Sequence, residues 1–295
     1  MTATPQTVTA PDGRQLEYLL DGPEDGVPLV FHVGTPNCAA DFSVLSEPVA
    51  ELGLRLICYS RPGYAGSTER PGRTVADAVE DVTVLLDALG IDRFVTAGWS
   101  GGGPHALACA ALLPERCRAA AVLAGVAPFD AAGLDFLAGM GEDNVEEFGA
   151  TLAGPERLQD YLDEVGPQLA AVTGESVIAG LESLLPDVDK RALTGEFADQ
   201  MAANFRRALA GGVAGWRDDD LAFVRDWGFT LSKVTVPVAI WQGGQDLMVP
   251  FAHGRWLAGA IPSAQPHLLA DEGHVSLVSQ MAVIFADLLG LAAGR

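Results

Sequence analysis

Six short apolar runs, each followed by a turn or a segment of helical period, most limit what this 295-residue chain can fold into. They are PLVFHVG (28–34), LRLICYS (54–60), RFVTAGWS (93–100), RAAAVLAGV (118–126), VPVAIWQG (236–243) and AQPHLLAD (264–271). Continuous apolar strands of this length are buried on both faces, as in a parallel sheet. Helical patterns fall over 41–52, 74–90, 103–113, 251–260 and 275–292. In the second, Val75, Val79, Val82, Leu86 and Leu89 recur at helical spacing, with Thr74 and Asp77 as a capping signature and Gly90 as the stop. Two shorter strands, 6–10 and 15–21, flank the turn Pro11-Asp12-Gly13. The alternation predicts an α/β fold: a mostly parallel, eight-stranded twisted sheet with helices on both faces. It fails between 127 and 230, where only helical patterns appear (142–152, 155–171, 175–185, 196–211). That stretch reads as a helical cap inserted after the sixth strand, leaving 1–126 and 231–295 as the core.

Charge narrows the partners. The formal net charge is −21, with Lys190 and Lys233 the only lysines. Such a surface repels phosphate backbones and anionic lipid, so neither nucleic acid nor a membrane surface is an expected partner. A small molecule is expected instead, and the composition leaves a homo-oligomer open. The start, MTATPQTVTA, shows no basic or apolar signal region, and no apolar stretch reaches the ~18 residues of a membrane span. Cys38, Cys58, Cys109 and Cys117 form no CxxC pair, which fits free thiols in the cytoplasm.

The run 93–100 ends at a serine among glycines, Gly98-Trp99-Ser100-Gly101-Gly102-Gly103, and a helix starts at once. Glycine weakens both strands and helices unless the backbone needs a conformation other residues resist. Gly-x-Ser-x-Gly between strand and helix is the nucleophile-elbow pattern. The turn is so tight that the residues two before and two after the serine must lack a Cβ, and the following helix aims its N–H groups at the serine. A serine hydroxyl is a weak nucleophile and needs a base, which needs an orienting acid. Asp246 lies just past the strand 236–243 and His274 just past 264–271, so all three loops leave the same sheet edge, where open α/β sheets bind ligands.

On these residues the chain resembles the α/β-hydrolase family, whose order is Ser…Asp…His. RPGYAGS (61–67) is similar to that family's glycine-rich turn after its fourth strand. HVGTP (32–36) is similar to its oxyanion loop, although His32 stands one position early, Val33 holds the histidine position and Asn37 replaces a glycine. The resemblance implies an oxyanion hole from the Thr35 and Gly101 N–H groups, a helical cap over the pocket, and no metal or organic cofactor. Asp130, Asp271 and Glu272 are rival acids. His32, His105, His253 and His267 read as packing or surface residues, and Cys38 as a bystander near the oxyanion loop. RDDDL (217–221) reads as a solvated edge of the cap rather than a metal site. Gly101-x-Gly103-x-x-Ala106 matches a dinucleotide fingerprint only formally, because it follows the fifth strand and no acid ends the next.

A nucleophilic serine favours acyl carbon, whereas displacement at an alkyl carbon needs a carboxylate. Trp99, Phe129 and Phe136 are the expected pocket residues, with Phe148, Leu152, Phe205 and Trp216 adding apolar lining. The expected activity is hydrolysis of a small or medium apolar carboxylic ester. Carbon–carbon bond hydrolysis, removal of an N-terminal proline and slow-turnover ligand reception are the alternatives, the second needing acids such as Glu142, Asp143, Glu146 or Glu147 to hold an ammonium.

Overall fold

A computed structural model of the chain describes residues 4–40 and 42–294. Residues 1–3, 41 and 295, inside the expected core ranges and the expected 41–52 helix, lie outside the described residues. The strands are β1 (Gln6–Thr9), β2 (Gln15–Asp21), β3 (Val27–His32), β4 (Leu54–Tyr59), β5 (Phe94–Trp99), β6 (Cys117–Leu123), β7 (Val238–Gly243) and β8 (Ala264–Leu269). They form one sheet in the order β1-β2-β4-β3-β5-β6-β7-β8. β1 and β2 pair antiparallel, β2 joins β4 antiparallel, and every later pairing is parallel. β5 and β7 are buried at every residue, as central strands of a parallel sheet are, whereas edge strand β8 has no buried residue.

The helices are α1 (Ser43–Glu51), α2 (Ala78–Ala88), α3 (Gly103–Leu112), α4 (Glu142–Ala153), α5 (Pro155–Ala170), α6 (Val177–Gly180), α7 (Asp187–Ala192), α8 (Gly195–Ala208), α9 (Ala214–Phe223), α10 (Phe251–Ala260) and α11 (Met281–Ala293). Two apolar clusters flank the sheet. One contains Phe31, Val95, Ile284 and Phe285, the other Val30, Ile57, Val82 and Leu107. Adjacent strand residues point to opposite faces, so Val30 and Phe31 serve different clusters.

Four differences from the sequence reading have local causes. β6 stops at Leu123 rather than continuing to 126, because Gly125 must pack on α3: a Cβ there would lie 3.2 Å from the Gly103 Cα. The expected 175–185 helix is only α6 plus a 3₁₀ turn over Glu182–Leu184, and α7 and α9 were not anticipated. The last helix is preceded by a 3₁₀ turn, Ser276–Gln280. Finally, Ser276–Ala293 does have the length and apolarity of a membrane span, contrary to expectation; here its Ile284, Phe285 and Leu288 are buried, and Phe285 packs edge-on against Phe31 of β3.

Candidate active site

Ser100 sits where β5 gives way to a 3₁₀ turn, Ser100–Gly102, that leads directly into α3. Its φ is +55°, a left-handed value that costs a non-glycine residue of order 1–3 kcal/mol and persists only when the surroundings impose it. They do. A Cβ on Gly98 would stand 2.2 Å from the Gly102 carbonyl oxygen, and one on Gly102 would stand 2.0 Å from the His32 carbonyl oxygen. The glycines let β5, β3 and the head of α3 converge behind the serine.

His274 follows β8 and is buried. Its Nδ1 lies 2.8 Å from Asp246 Oδ2, so Nδ1–H donates to the carboxylate and Nε2 is left as the basic nitrogen. Of the four candidate acids, Asp246 is the one that meets the imidazole. The carboxylate is itself fixed: Oδ1 accepts from the Met248 and Val249 N–H groups, both at 2.8 Å, and Oδ2 from Gln242 Nε2 at 3.1 Å. Trp99 packs on the imidazole, ring centroids 5.4 Å apart, and donates Nε1–H to the His274 carbonyl. Burial depresses the imidazole's affinity for a proton, but Asp246 and, more weakly, Asp189 overcome that, and the His274 pKa is raised above its ordinary value.

Asp189, on α7, holds the histidine's loop. Its Oδ2 accepts from the His274 N–H at 2.9 Å, and its Oδ1 from the Val275 and Ser276 N–H groups at 3.0 and 2.8 Å. The carboxylate comes so close that a Cβ on Gly273 would lie 2.3 Å from Oδ1.

The Gly34-Thr35 turn lies against the elbow. A Cβ on Gly34 would be 3.2 Å from the Ser100 Cβ, and one on Gly101 would be 2.4 Å from Thr35 Oγ1. Arg61, buried behind this turn, donates to the carbonyl oxygens of Val33 and Gly34 and to Thr35 Oγ1. Its charge is met by Asp219 of α9 at 2.6 Å, which also takes Arg73 at 2.7 Å and accepts from Tyr64 and Thr35 hydroxyls at 2.9 and 2.8 Å. Burial alone would raise the Asp219 carboxyl, yet Arg61 and Arg73 hold it well below the usual range. The same desolvation, reinforced by Arg61, pushes His105 down to about 3 and His32 well below its ordinary value. Both are neutral packing groups, as expected, and His253 is fixed by Ala127 N–H and the Phe136 carbonyl.

A cavity of about 430 Å³ opens in front of the serine, lined by Gly34, Thr35, Trp99, Ser100, Gly101 and His274. Its opposite side comes from the helices between β6 and β7: Val165, Leu169, Met201 and Phe205 form an apolar wall, and Glu147, Trp216 and Asp220 a polar one. Three expectations are corrected. Phe129 and Phe136 do not reach the cavity: Phe136 packs 5.3 Å from Phe129, 5.0 Å from Phe148 and 4.9 Å from His253, filling the base under α4, and Phe148 takes the lining position. Leu152, one helical turn on, is 47% exposed. The RDDDL stretch is not a solvated edge: Asp218, Asp219 and Asp220 are all buried, because α9 is enclosed between the Gly63-Tyr64 turn, where a Cβ on Gly63 would meet the Gly215 nitrogen at 2.7 Å, and the helices α4 and α5.

A profile described as alpha/beta hydrolase fold matches residues 27–279. The chain belongs to this family. Among the family's curated proteins, a non-heme chloroperoxidase of Streptomyces lividans is 30% identical over 290 residues, covering 96% of this chain and 98% of that one. A bifunctional esterase/perhydrolase of Acinetobacter calcoaceticus is 26% identical, covering 83% of each. A solved hydrolase structure from Pseudomonas aeruginosa superposes with a TM-score of 0.70 at 20% identity, over 99% of both chains. That likeness is one of fold.

In this alpha/beta hydrolase the residues that sequence reasoning missed are Asp189, Arg61, Asp219 and Asp220. Arg61 opens the glycine-rich RPGYAGS turn and could have been marked as an arginine facing inward from a strand end. The three aspartates carry no local signal, since their partners lie up to 184 residues away in sequence.

Proposed function

We propose that this alpha/beta hydrolase cleaves a carboxylic ester with Ser100 as nucleophile, His274 as general base and Asp246 as the acid that orients it. The observation that carries the reading is the strained serine, φ +55°, facing the same cavity as an imidazole already bonded through Nδ1 to a carboxylate. Ser100 Oγ attacks the acyl carbon while His274 Nε2 takes its proton. The oxyanion is received by the Thr35 and Gly101 N–H groups. The imidazolium returns the proton to the leaving alcohol. Water then attacks the acyl-enzyme, giving its proton to His274, and the acid leaves as Ser100 is reprotonated. The stretch 127–230 serves as a cap, and its wall of Val165, Leu169, Met201 and Phe205 suits an apolar acyl or alcohol group. The esterase named among the relatives supports the same chemistry.

The test is labelling with a fluorophosphonate probe, followed by a panel of p-nitrophenyl esters. Wild type should label and hydrolyse; Ser100→Ala should do neither. Labelling that persists in Ser100→Ala removes Ser100 from the mechanism.

A further inference from the structure

We propose that Arg61 and Asp219 are positioning residues for the oxyanion hole, and that helix α9 forms its back wall. The inference rests on the ester-cleaving reading, which makes the Thr35 and Gly101 N–H groups the receivers of the oxyanion.

The Thr35 N–H belongs to the same peptide unit as the Gly34 carbonyl. That carbonyl accepts from Arg61 Nη2 at 2.9 Å, while Nη1 donates to the Val33 carbonyl one peptide earlier. A peptide unit is planar, and in the trans form its C=O and N–H point opposite ways, so fixing the carbonyl fixes the N–H. A charged donor on the oxygen also polarises the unit and makes the N–H a stronger donor. Arg61 is 1% exposed, and a guanidinium at that depth needs a carboxylate to meet it. Asp219 supplies one: Arg61 Nε lies 3.1 Å from both carboxylate oxygens, and Nη2 lies 2.6 Å from Oδ2. The same Oδ2 accepts from the Thr35 hydroxyl at 2.8 Å, and that hydroxyl accepts in turn from Arg61 Nη2 at 3.0 Å. Thr35 Oγ1, Arg61 Nη2 and Asp219 Oδ2 thus close a ring of hydrogen bonds behind the turn.

The second donor residue meets the same helix. Phe223 follows Asp219 by one turn, on the same face of α9. A Cβ on Gly101 would stand 3.0 Å from Phe223 Cζ as well as 2.4 Å from Thr35 Oγ1. Phe223 also packs edge-on against His105, ring centroids 6.0 Å apart, and His105 Nδ1 bonds the Gly101 carbonyl at 2.9 Å. Two residues four apart on α9 therefore bear on both donor residues, one through charge and one through packing. Arg73 differs. It meets Asp219 at 2.7 Å, but its hydrogen bonds to carbonyls go to Pro62 and Gly215, and none reaches the turn among the described residues.

The experiment compares Arg61→Lys, Thr35→Val and Arg73→Met with wild type in two assays. One is hydrolysis of a p-nitrophenyl ester, read as kcat and KM. The other is inhibition by a phenethyl trifluoromethyl ketone and by the matching alcohol. With the ketone, Ser100 Oγ adds to the carbonyl carbon, its proton passes to His274 and the carbonyl oxygen becomes an oxyanion; the alcohol fills the same space without forming one. Lysine keeps a charge for Asp219 but lacks the planar fork that reaches the turn at the same time. Arg61→Lys is expected to lower kcat by about tenfold or more, toward the ~10²–10³ that loss of an oxyanion donor costs, with KM changed less than about threefold. The ketone should weaken by a similar factor and the alcohol little. Thr35→Val keeps the ion pair whole and removes only the hydroxyl, so it should show the same selective loss at smaller size. Arg73→Met should lower the midpoint of urea unfolding while kcat and ketone inhibition stay within about twofold of wild type. An Arg61→Lys variant with unchanged kcat, or one that weakens ketone and alcohol equally, overturns the proposal. So does an Arg73→Met variant that loses the ketone as severely as Arg61→Lys, which would mark a general loosening of the fold. If circular dichroism shows that Arg61→Lys does not fold, Thr35→Val decides, and ketone inhibition that falls no more than alcohol inhibition overturns the proposal. A wild type that neither hydrolyses esters nor is inhibited by the ketone overturns the ester-cleaving reading and this inference with it. Ester hydrolysis without the selective loss overturns the positioning role alone.

Discussion

The two sides of the cavity treat charge differently. On the sheet side, Asp246 is matched by His274, and Asp219 by Arg61 and Arg73, so the key charges there are met within the protein. On the helical side, Glu147 and Asp220 meet each other and an indole N–H, with Arg73 acting on Asp220 only from a distance. The first arrangement suits a place where geometry must not change as charge develops, since preorganised groups need no rearrangement during the reaction. The second leaves two acidic groups on a cavity wall to which no lysine or arginine contributes among the described residues.

The comparison breaks most severely at the sheet side. By analogy with serine proteases, Ser100→Ala or His274→Ala should lower kcat on an ester by on the order of 10⁶, and Asp246→Asn by about 10⁴, because the amide leaves the wrong tautomer facing the serine. Stopped-assay hydrolysis of a p-nitrophenyl ester reads both. A loss under tenfold for Asp246→Asn would mean that the imidazole needs no partner and that the fixed side is less dependent on its internal charges than the geometry implies.

Next in size is the buried cluster under the Gly34-Thr35 turn. Asp219→Asn leaves Arg61 and Arg73 without their carboxylate in the interior, and breaking a buried pair from one side costs about 3–5 kcal/mol. Urea unfolding should show that loss. Asp220→Asn, one residue on, should cost little or even stabilise the free protein, because it replaces a carboxyl that has no counter-charge. Opposite stability effects from neighbouring isosteric substitutions sharpen the contrast between the two sides; equal effects would erase it.

What could be read from the sequence divides along the same line. The sheet side was legible because its demands are local: Gly98 and Gly102 are glycines on account of a turn a few residues long, and Asp246 and His274 each directly follow an apolar strand. The helical side was not. Periodicity located α4, α5 and α8, but a helix's pattern says which residues are apolar and not what faces the polar ones. RDDDL looked solvated because consecutive side chains on a helix point about 100° apart and one face is normally wet. On α9 they do diverge, Asp218 to Arg217, Asp219 to Arg61 and Asp220 to the cavity, but every direction is covered. Phe136 illustrates the converse: aromatic character marked it for the pocket, whereas it fills the base on which Phe148, the true lining residue, rests.

The smallest expected effect is the most specific, because it concerns a carboxylate by which a helix of the 127–230 stretch reaches the histidine's loop. Asp189 carries negative charge near His274 and accepts the N–H groups that shape its loop. The proposed base works when deprotonated, and the His274 pKa lies above the ordinary 6.5. Ester hydrolysis, read as kcat/KM, should therefore fall as pH drops through that raised value. The linkage to folding has the opposite sign: a raised histidine pKa contributes stability that is complete below the unfolded value and lost as pH rises through the folded one. Activity and this share of stability thus trade places across the same window. Asp189→Asn keeps the shape and two acceptor contacts but removes the charge, so the acidic limb of the rate profile should move to lower pH, with a modest fall in kcat from a looser loop. A scaffold-only role would lower stability and kcat while leaving the limb where it was. A shift toward lower pH would show that the helical side, otherwise electrostatically open, still reaches across to set the proton affinity of the base.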